Sequence, residues 1–185
     1  DVRHLIFIST ELPESYKAAI RNIISGFSFS HVFELTPNEK TIPSIERVVN
    51  EELSNSGYES VYASVRLDDD DALHPNFLRS LEPYVCDPFV GMGVSFSKGY
   101  SGIYDGEKFC SFHEMNAINN AQGQALISKV NYPMVGGTVY GLKVSHSRLH
   151  WISPVIVDGS RHMYIRTVHQ HGDFYCKDYE KKMSS

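Results

Sequence analysis

The sequence predicts an α/β fold, with a mostly parallel sheet flanked by helices that turns mixed in its second half. Three observations carry this reading. Between residues 1 and 80, short apolar β-branched runs alternate with segments of helical periodicity, the pattern of strands joined through helices. After residue 90 the alternation gives way to a strand of small and large residues and a hairpin-type Asp-Gly pair. The 185 residues, 42% hydrophobic and 21% charged, suffice for one domain with a real core, so residues 1–185 read as a single domain.

In chain order, Leu5–Ser9 is a short apolar run read as a buried strand. Tyr16, Ala19, Ile20, Ile23 and Ile24 recur at helical spacing, with Pro13 suited to the helix entry and Gly26 to its exit. His31–Leu35 reads as a second strand. Ile45, Val48, Val49 and Leu53 mark a second helix, capped by Thr41 and closed by Ser56-Gly57. Val61–Leu67, β-branched and aromatic, is a third strand, and His74–Leu78 opens a short helix. Val90, Met92, Val94 and Phe96 alternate with Gly91, Gly93, Ser95 and Ser97, which suits either tight packing or close approach of a ligand. Tyr104-Asp105-Gly106-Glu107 is a hairpin turn. Residues 114–130 read as helix, 135–137 as a turn, 139–144 as a strand and 163–169 as a late strand; 146–158 show no regular pattern, and the polar last dozen residues read as a frayed end.

The stretch that points to chemistry is Asp68-Asp69-Asp70-Asp71, at the end of the third strand. In open α/β sheets that edge is where ligands bind. Adjacent carboxylates repel unless a cation or solvent relieves them, and hard divalent ions, Mg²⁺ or Mn²⁺, are their natural partners. An acidic run is equally well a solvated turn in which one Asp caps the next helix.

The net charge of −5 argues against a general nucleic-acid binder, which needs a basic face. Cys86, Cys110 and Cys176 have neither metal spacing nor a disulfide framework, which suits a reducing cytoplasm. No run approaches the roughly 18 to 20 apolar residues of a membrane helix. The chain begins at Asp1, without an initiator Met and directly before a strand, so a preceding element of a longer chain is expected.

Asp68-x-Asp70-Asp71 at a strand end resembles the DxD region of nucleotide-sugar glycosyltransferases of the GT-A (Rossmann-like) fold. The longer string Arg66-Leu67-Asp68-Asp69-Asp70-Asp71-Ala72-Leu73 is similar to the bacterial rhamnosyltransferase family. Phe96–Tyr100, Thr138–Tyr140 with His146 behind it, and the late strand ending at His169 follow in the same order. The resemblance implies a metal-dependent transferase moving a sugar from a nucleotide-sugar donor to a glycan or other hydroxyl acceptor, in the cytoplasm or peripherally at the inner face of the membrane. It implies Asp68, Asp70 and His169 as metal ligands, with His171 in reserve, and Arg66, Asp68 and Asp71 beside the nucleotide. Asp68 would lie near the ribose or a metal-bound water, and Asp71 would support the site or cap a helix.

An inverting transferase needs a carboxylate to deprotonate the acceptor. Asp105, Glu114, Asp158 and Asp173 are the candidates, with Asp105 and Asp158 each followed by a turn-forming Gly. Where the resemblance calls for a later Glu, this chain has Ser128-Lys129. Walker-type and Gly-x-Ser-x-Gly motifs are absent. Two other readings use the same aspartates: a metal-dependent phosphoryl hydrolase, and a cation- or carbohydrate-binding domain without activity.

Overall fold

A computed structural model describes residues 1–56, 61–130, 137–142, 144–170 and 172. The chain divides into two compact units, Asp1–Ser56 and Gly57–Ser185.

The first unit follows the expected strand-helix alternation. β1 (His4–Ser9) and β2 (Ser30–Leu35) pair in parallel, joined by α1 (Glu14–Ile24), and α2 (Thr41–Ser56) follows. Pro13 precedes α1 and its carbonyl accepts the amides of Tyr16 and Lys17. Pro43 lies in the first turn of α2, where its missing N–H costs nothing. α1 is the helix that the apolar spacing predicts, with Ile20 and Ile24 half-buried, but its one fully buried residue is a lysine. Lys17 is buried while Tyr16 and Ile23 are exposed. Lys17 Nζ donates to Thr10 O and to Glu34 Oε2, at 2.9 and 2.6 Å, and Arg21 holds the other Glu34 oxygen at 2.7 Å. The hydrogen bond from Lys17 keeps the Glu34 carboxyl below its ordinary pKa, against the opposing effect of burial.

The second unit contains β3 (Val61–Val65), β4 (Ala72–Leu73), α3 (Phe77–Leu81), β5 (Gly93–Tyr104), β6 (Phe109–Asn116), β7 (Ala125–Lys129) and β8 (Val155–Val168). They form one sheet in the order β3-β7-β5-β8-β4, with β6 also on β5. This corrects the mostly parallel expectation. Only β5–β8 is parallel here, while β3–β7, β5–β7, β5–β6 and β4–β8 are antiparallel. The hairpin at Asp105-Gly106 is the local cause of the β5–β6 pairing, while the other antiparallel pairs join strands distant in sequence. Gly106 takes φ +108° and the chain reverses directly into β6.

Three further expectations are corrected. Residues 114–130 are not a helix but the end of β6, a connection and β7. The strand expected over 139–144 is replaced by a turn at its described residues, in which Gly141 N donates to Thr138 O and Oγ1. Val139 and Leu142 are buried there with Leu126 and Leu149, so an apolar run packs without a ladder. The unassigned stretch 146–158 is a 3₁₀ helix, His146–Trp151, and the start of β8. The Asp158-Gly159 turn signal is an irregularity inside β8: Ser160 N donates to Asp158 Oδ1, and the register slips between Phe96 and Lys98.

The core joins Phe77 and Leu81 of α3 to Val94, Phe96, Ala125, Ile127 and Met163 of the sheet. Phe77 meets Phe96 edge-on at 5.1 Å. The small-residue strand serves packing: a Cβ on Gly93 would lie 2.6 Å from Leu149. No helix among the described residues is long and apolar enough to cross a membrane.

Gly123 combines φ +70° with a position where a Cβ would come 2.5 Å from the Phe77 ring. Gly123→Ala is expected to destabilise by about 1–3 kcal/mol through overpacking and backbone strain. Urea unfolding should show a lower midpoint at unchanged slope; an unchanged midpoint would contradict this packing.

Candidate functional site

The acidic run lies just past the end of β3, as its strand-end position predicts. Beyond Val65 the pairing with the other chain segment continues for one residue. Arg66 N donates to Gln124 O, and Gly123 N donates to Arg66 O. The run is thereby fixed against the connection that precedes β7. Asp71 N then donates to Asp68 O, which closes the run into a turn.

Three of the four aspartates have distinct partners. Asp68 accepts from Arg66, at 3.2 Å from Nε and 3.4 Å from Nη2, and the same guanidinium lies over the Tyr140 ring at 5.7 Å. Asp70 Oδ2 lies 3.2 Å from His169 Nε2, bringing together two residues 99 positions apart. Asp71 turns inward. Its Oδ2 accepts from Gln122 Nε2 at 2.6 Å and its Oδ1 from the amide of Thr167 at 3.1 Å. Burial raises the Asp71 pKa; the two hydrogen bonds oppose that shift, and the charges of Asp70 and Asp68 reinforce it.

Around this run the structure gathers residues to which the sequence reading gave no role. The connection Asn119–Gln124 carries four amide side chains, all buried. Asn119 Nδ2 lies 2.8 Å from His150 Nδ1, Asn120 Nδ2 donates to Phe96 O, and Gln124 Nε2 donates to His146 O. The density of amides over six residues is the signal that could have marked it as a buried polar network rather than a helix. Burial and the adjacent Arg66 push the His146 imidazole below its ordinary pKa, and Arg166 acts in the same sense. Burial raises the Tyr140 phenol. Arg66 thus puts positive charge beside the carboxylates, while the influence of Arg166 falls on His146 and Tyr164.

Of the expected ligand set, Asp70 and His169 meet, while Asp68 is held by Arg66. Among the described residues, no three His, Cys, Asp or Glu side chains converge into a group that could hold a metal. His171 and Asp173 lie outside the described residues.

The candidate bases separate clearly. Asp105 is a turn residue: its carboxylate accepts from the Cys110 thiol and from the amides of Lys108 and Glu107, which hold its pKa down to about 2. Asp158 is committed to Ser160 and to the Tyr84 hydroxyl; these bonds keep its pKa low although burial works against them. Glu114, on β6, contacts the His162 imidazole. Ser128-Lys129 lie at the opposite end of β7 from the acidic run, facing Tyr62 and Val61.

A shallow cavity of about 480 Å³ opens beside Asp70 and His169 and is also lined by Tyr104 and Phe109 of the β5–β6 hairpin.

Asp71→Ala should cost roughly 1–3 kcal/mol by leaving Gln122 and the Thr167 amide without their acceptor. Asp71→Asn keeps an acceptor and removes the charge. An upward-shifted carboxyl contributes stability below its unfolded pKa and loses it as pH rises through the folded value. Asp71→Asn should therefore gain on the wild type as pH climbs from about 4. Parallel, pH-independent melting curves would contradict this.

A family model described as "Putative rhamnosyl transferase" matches residues 1–179. No curated protein and no solved structure matches the chain.

Proposed function

The chain belongs to the putative rhamnosyl transferase family, and from that membership we propose that it is a metal-dependent glycosyltransferase of GT-A type. It moves a sugar from a nucleotide-sugar donor to a hydroxyl of a glycan or other acceptor. The observation that carries this reading is the meeting of Asp70 and His169 at the end of β3, beside the Arg66–Asp68 pair.

The donor set suits Mn²⁺ or Mg²⁺ held jointly with a nucleotide. Such ions are commonly bound by one or two protein side chains, the remaining positions being taken by phosphate oxygens and water. Asp70 Oδ2 and His169 Nε2, 3.2 Å apart, are close enough that both would hold one ion in place of their mutual hydrogen bond. The ion would supply Lewis-acid stabilisation of the diphosphate leaving group. Asp70 and His169 bind it in this reading. Asp68 faces the ribose or a metal-bound water, and Arg66 neutralises phosphate charge while holding Asp68 in place. Asp71 supports the run by tying it to Gln122 and Thr167 rather than touching the donor.

A nucleotide-sugar donor supports a cytoplasmic site of action in this reading, with peripheral membrane association where the acceptor is membrane-borne. Rhamnose is the family's label for the sugar. Asp105, locked in the hairpin turn, and Asp158, committed to Ser160 and Tyr84 within β8, are poor bases.

Thermal-shift and calorimetric titration with UDP, GDP and dTDP, each with and without Mn²⁺, tests the reading. One nucleotide should bind only with metal present. Asp70→Ala should abolish that metal-dependent binding and leave the melting temperature near wild type. His169→Ala should weaken it by about tenfold, or 1.4 kcal/mol. An Asp70→Ala protein that still binds nucleotide and metal normally would sink the assignment. Release of inorganic phosphate without an acceptor would favour the hydrolase instead.

A further inference from the structure

The transferase reading requires an acceptor hydroxyl close to Asp70 and His169. Resting on that reading, we propose that the aromatic face of the β5–β6 hairpin is the acceptor site and that it takes a saccharide.

The face begins at the cavity beside the carboxylates, which Tyr104 and Phe109 line together with Asp70, Thr167 and His169. It continues along the sheet as a chain of ring contacts. Phe109 lies 5.4 Å from Tyr104 and 5.1 Å from Phe112, Phe112 lies 6.5 Å from Tyr100, and Tyr100 stacks on His162 at 4.6 Å and 18°. Strand alternation puts Tyr100, Gly102 and Tyr104 on one side of β5. A Cβ on Gly102 would lie 2.8 Å from Phe109 and 2.9 Å from Phe112, so the absent side chain is what lets both rings lie down over the strand. Phe109 and Phe112 are nevertheless 41% and 49% exposed. From Tyr104 to Tyr100 the track runs about 13 Å, at roughly 3.3 Å per residue, and Glu114, paired with Tyr100 across the sheet, meets His162 at its far end.

The chemistry of the track selects its occupant. Exposed ring faces are bordered at one end by a carboxylate, an imidazole and a hydroxyl, and at the other by the Glu114–His162 pair. A pyranose ring matches this on both counts, with an apolar C–H face to lie on the rings and a rim of hydroxyls to meet the polar borders. An acyl chain would strip water from those polar groups and give nothing in return. The length of the track leaves room for more than one sugar ring, which suits an oligosaccharide acceptor whose terminal hydroxyl points at the cavity.

Saturation-transfer difference NMR on the whole chain tests this, with methyl α-L-rhamnoside, methyl β-D-glucoside and methyl β-D-galactoside as probes. At least one probe should receive transfer, concentrated on its ring C–H protons. Phe109→Leu and Tyr104→Leu keep the apolar bulk and remove the rings, and should reduce that transfer roughly fivefold, the loss of one aromatic contact. Phe109→Tyr should retain it, and circular dichroism checks that each variant is folded. Mn²⁺-dependent nucleotide affinity should stay within about twofold in all of them. No transfer from any probe to the wild type overturns the proposal, as does equal transfer in the leucine variants. Loss of nucleotide affinity in those variants also overturns it, because the rings would then be stacking the donor's base. Saccharide binding without any nucleotide binding would sink the transferase reading and leave the saccharide site standing.

Discussion

The site depends on a single inward-facing carboxylate. Asp71 accepts from Gln122, 51 residues later in the chain, and from the amide of Thr167, 96 residues later. It thus clips the end of β3 to the connection before β7 and to the last residues of β8. Burial penalises its charge, and the hydrogen bonds offset part of that penalty. The arrangement is therefore costly to keep and costly to break. Its consequence is geometric: with Asp71 held, the turn closed by Asp71 N and Asp68 O presents Asp68 and Asp70 outward. Thr167 fixed at the same clip leaves His169 two residues on, beside Asp70.

Like charges in sequence here become unlike environments in space. Asp68 lies against a guanidinium, Asp70 against an imidazole, and Asp71 among neutral donors. Each partner relieves repulsion that four adjacent carboxylates would otherwise feel. This division matters for chemistry as well as stability. The carboxylate best satisfied by the fold is the one least available to a ligand, and the two that face outward are those with charged or titratable partners able to reorganise. Arg66 is itself braced by the Tyr140 ring, so that pair is oriented before any ligand arrives.

The sequence made the first unit and the acidic strand end legible because local signals were strong there. Apolar runs, Pro13 and the Asp-Gly hairpin each have one dominant physical meaning. What stayed hidden was decided by long-range pairing. β6 is exposed along most of its length, so it carries no alternation, and Asn116 to Asn120 blurred its end. Val139 and Leu142 looked like a strand because they are apolar, yet they pack from a turn. In α1 the apolar spacing marked the helix but not its buried residue, Lys17, which is held by Glu34 and Thr10. At the site, the aspartates and His169 were visible as residue types at strand ends. Gln122 and the Thr167 amide were not, since nothing local marks an amide as the partner of a carboxylate so far away.

The loss of the expected parallel sheet does not dissolve the argument from strand ends. β7 runs antiparallel to both β3 and β5, so β3 and β5 point the same way, and β8 runs parallel to β5. Three strands of this mixed sheet therefore share one direction. Their carboxyl ends carry, respectively, the acidic run, the aromatic hairpin tip and His169. The rule that ligands gather at the carboxyl ends of parallel strands rests on strand direction rather than on which strands are hydrogen-bonded to one another. An interposed antiparallel strand leaves the rule intact, and here it adds something. Because β7 enters the sheet from that same end, the connection that precedes it, Asn119–Gln124, is delivered to the back of the acidic run, where its amides can hold Asp71.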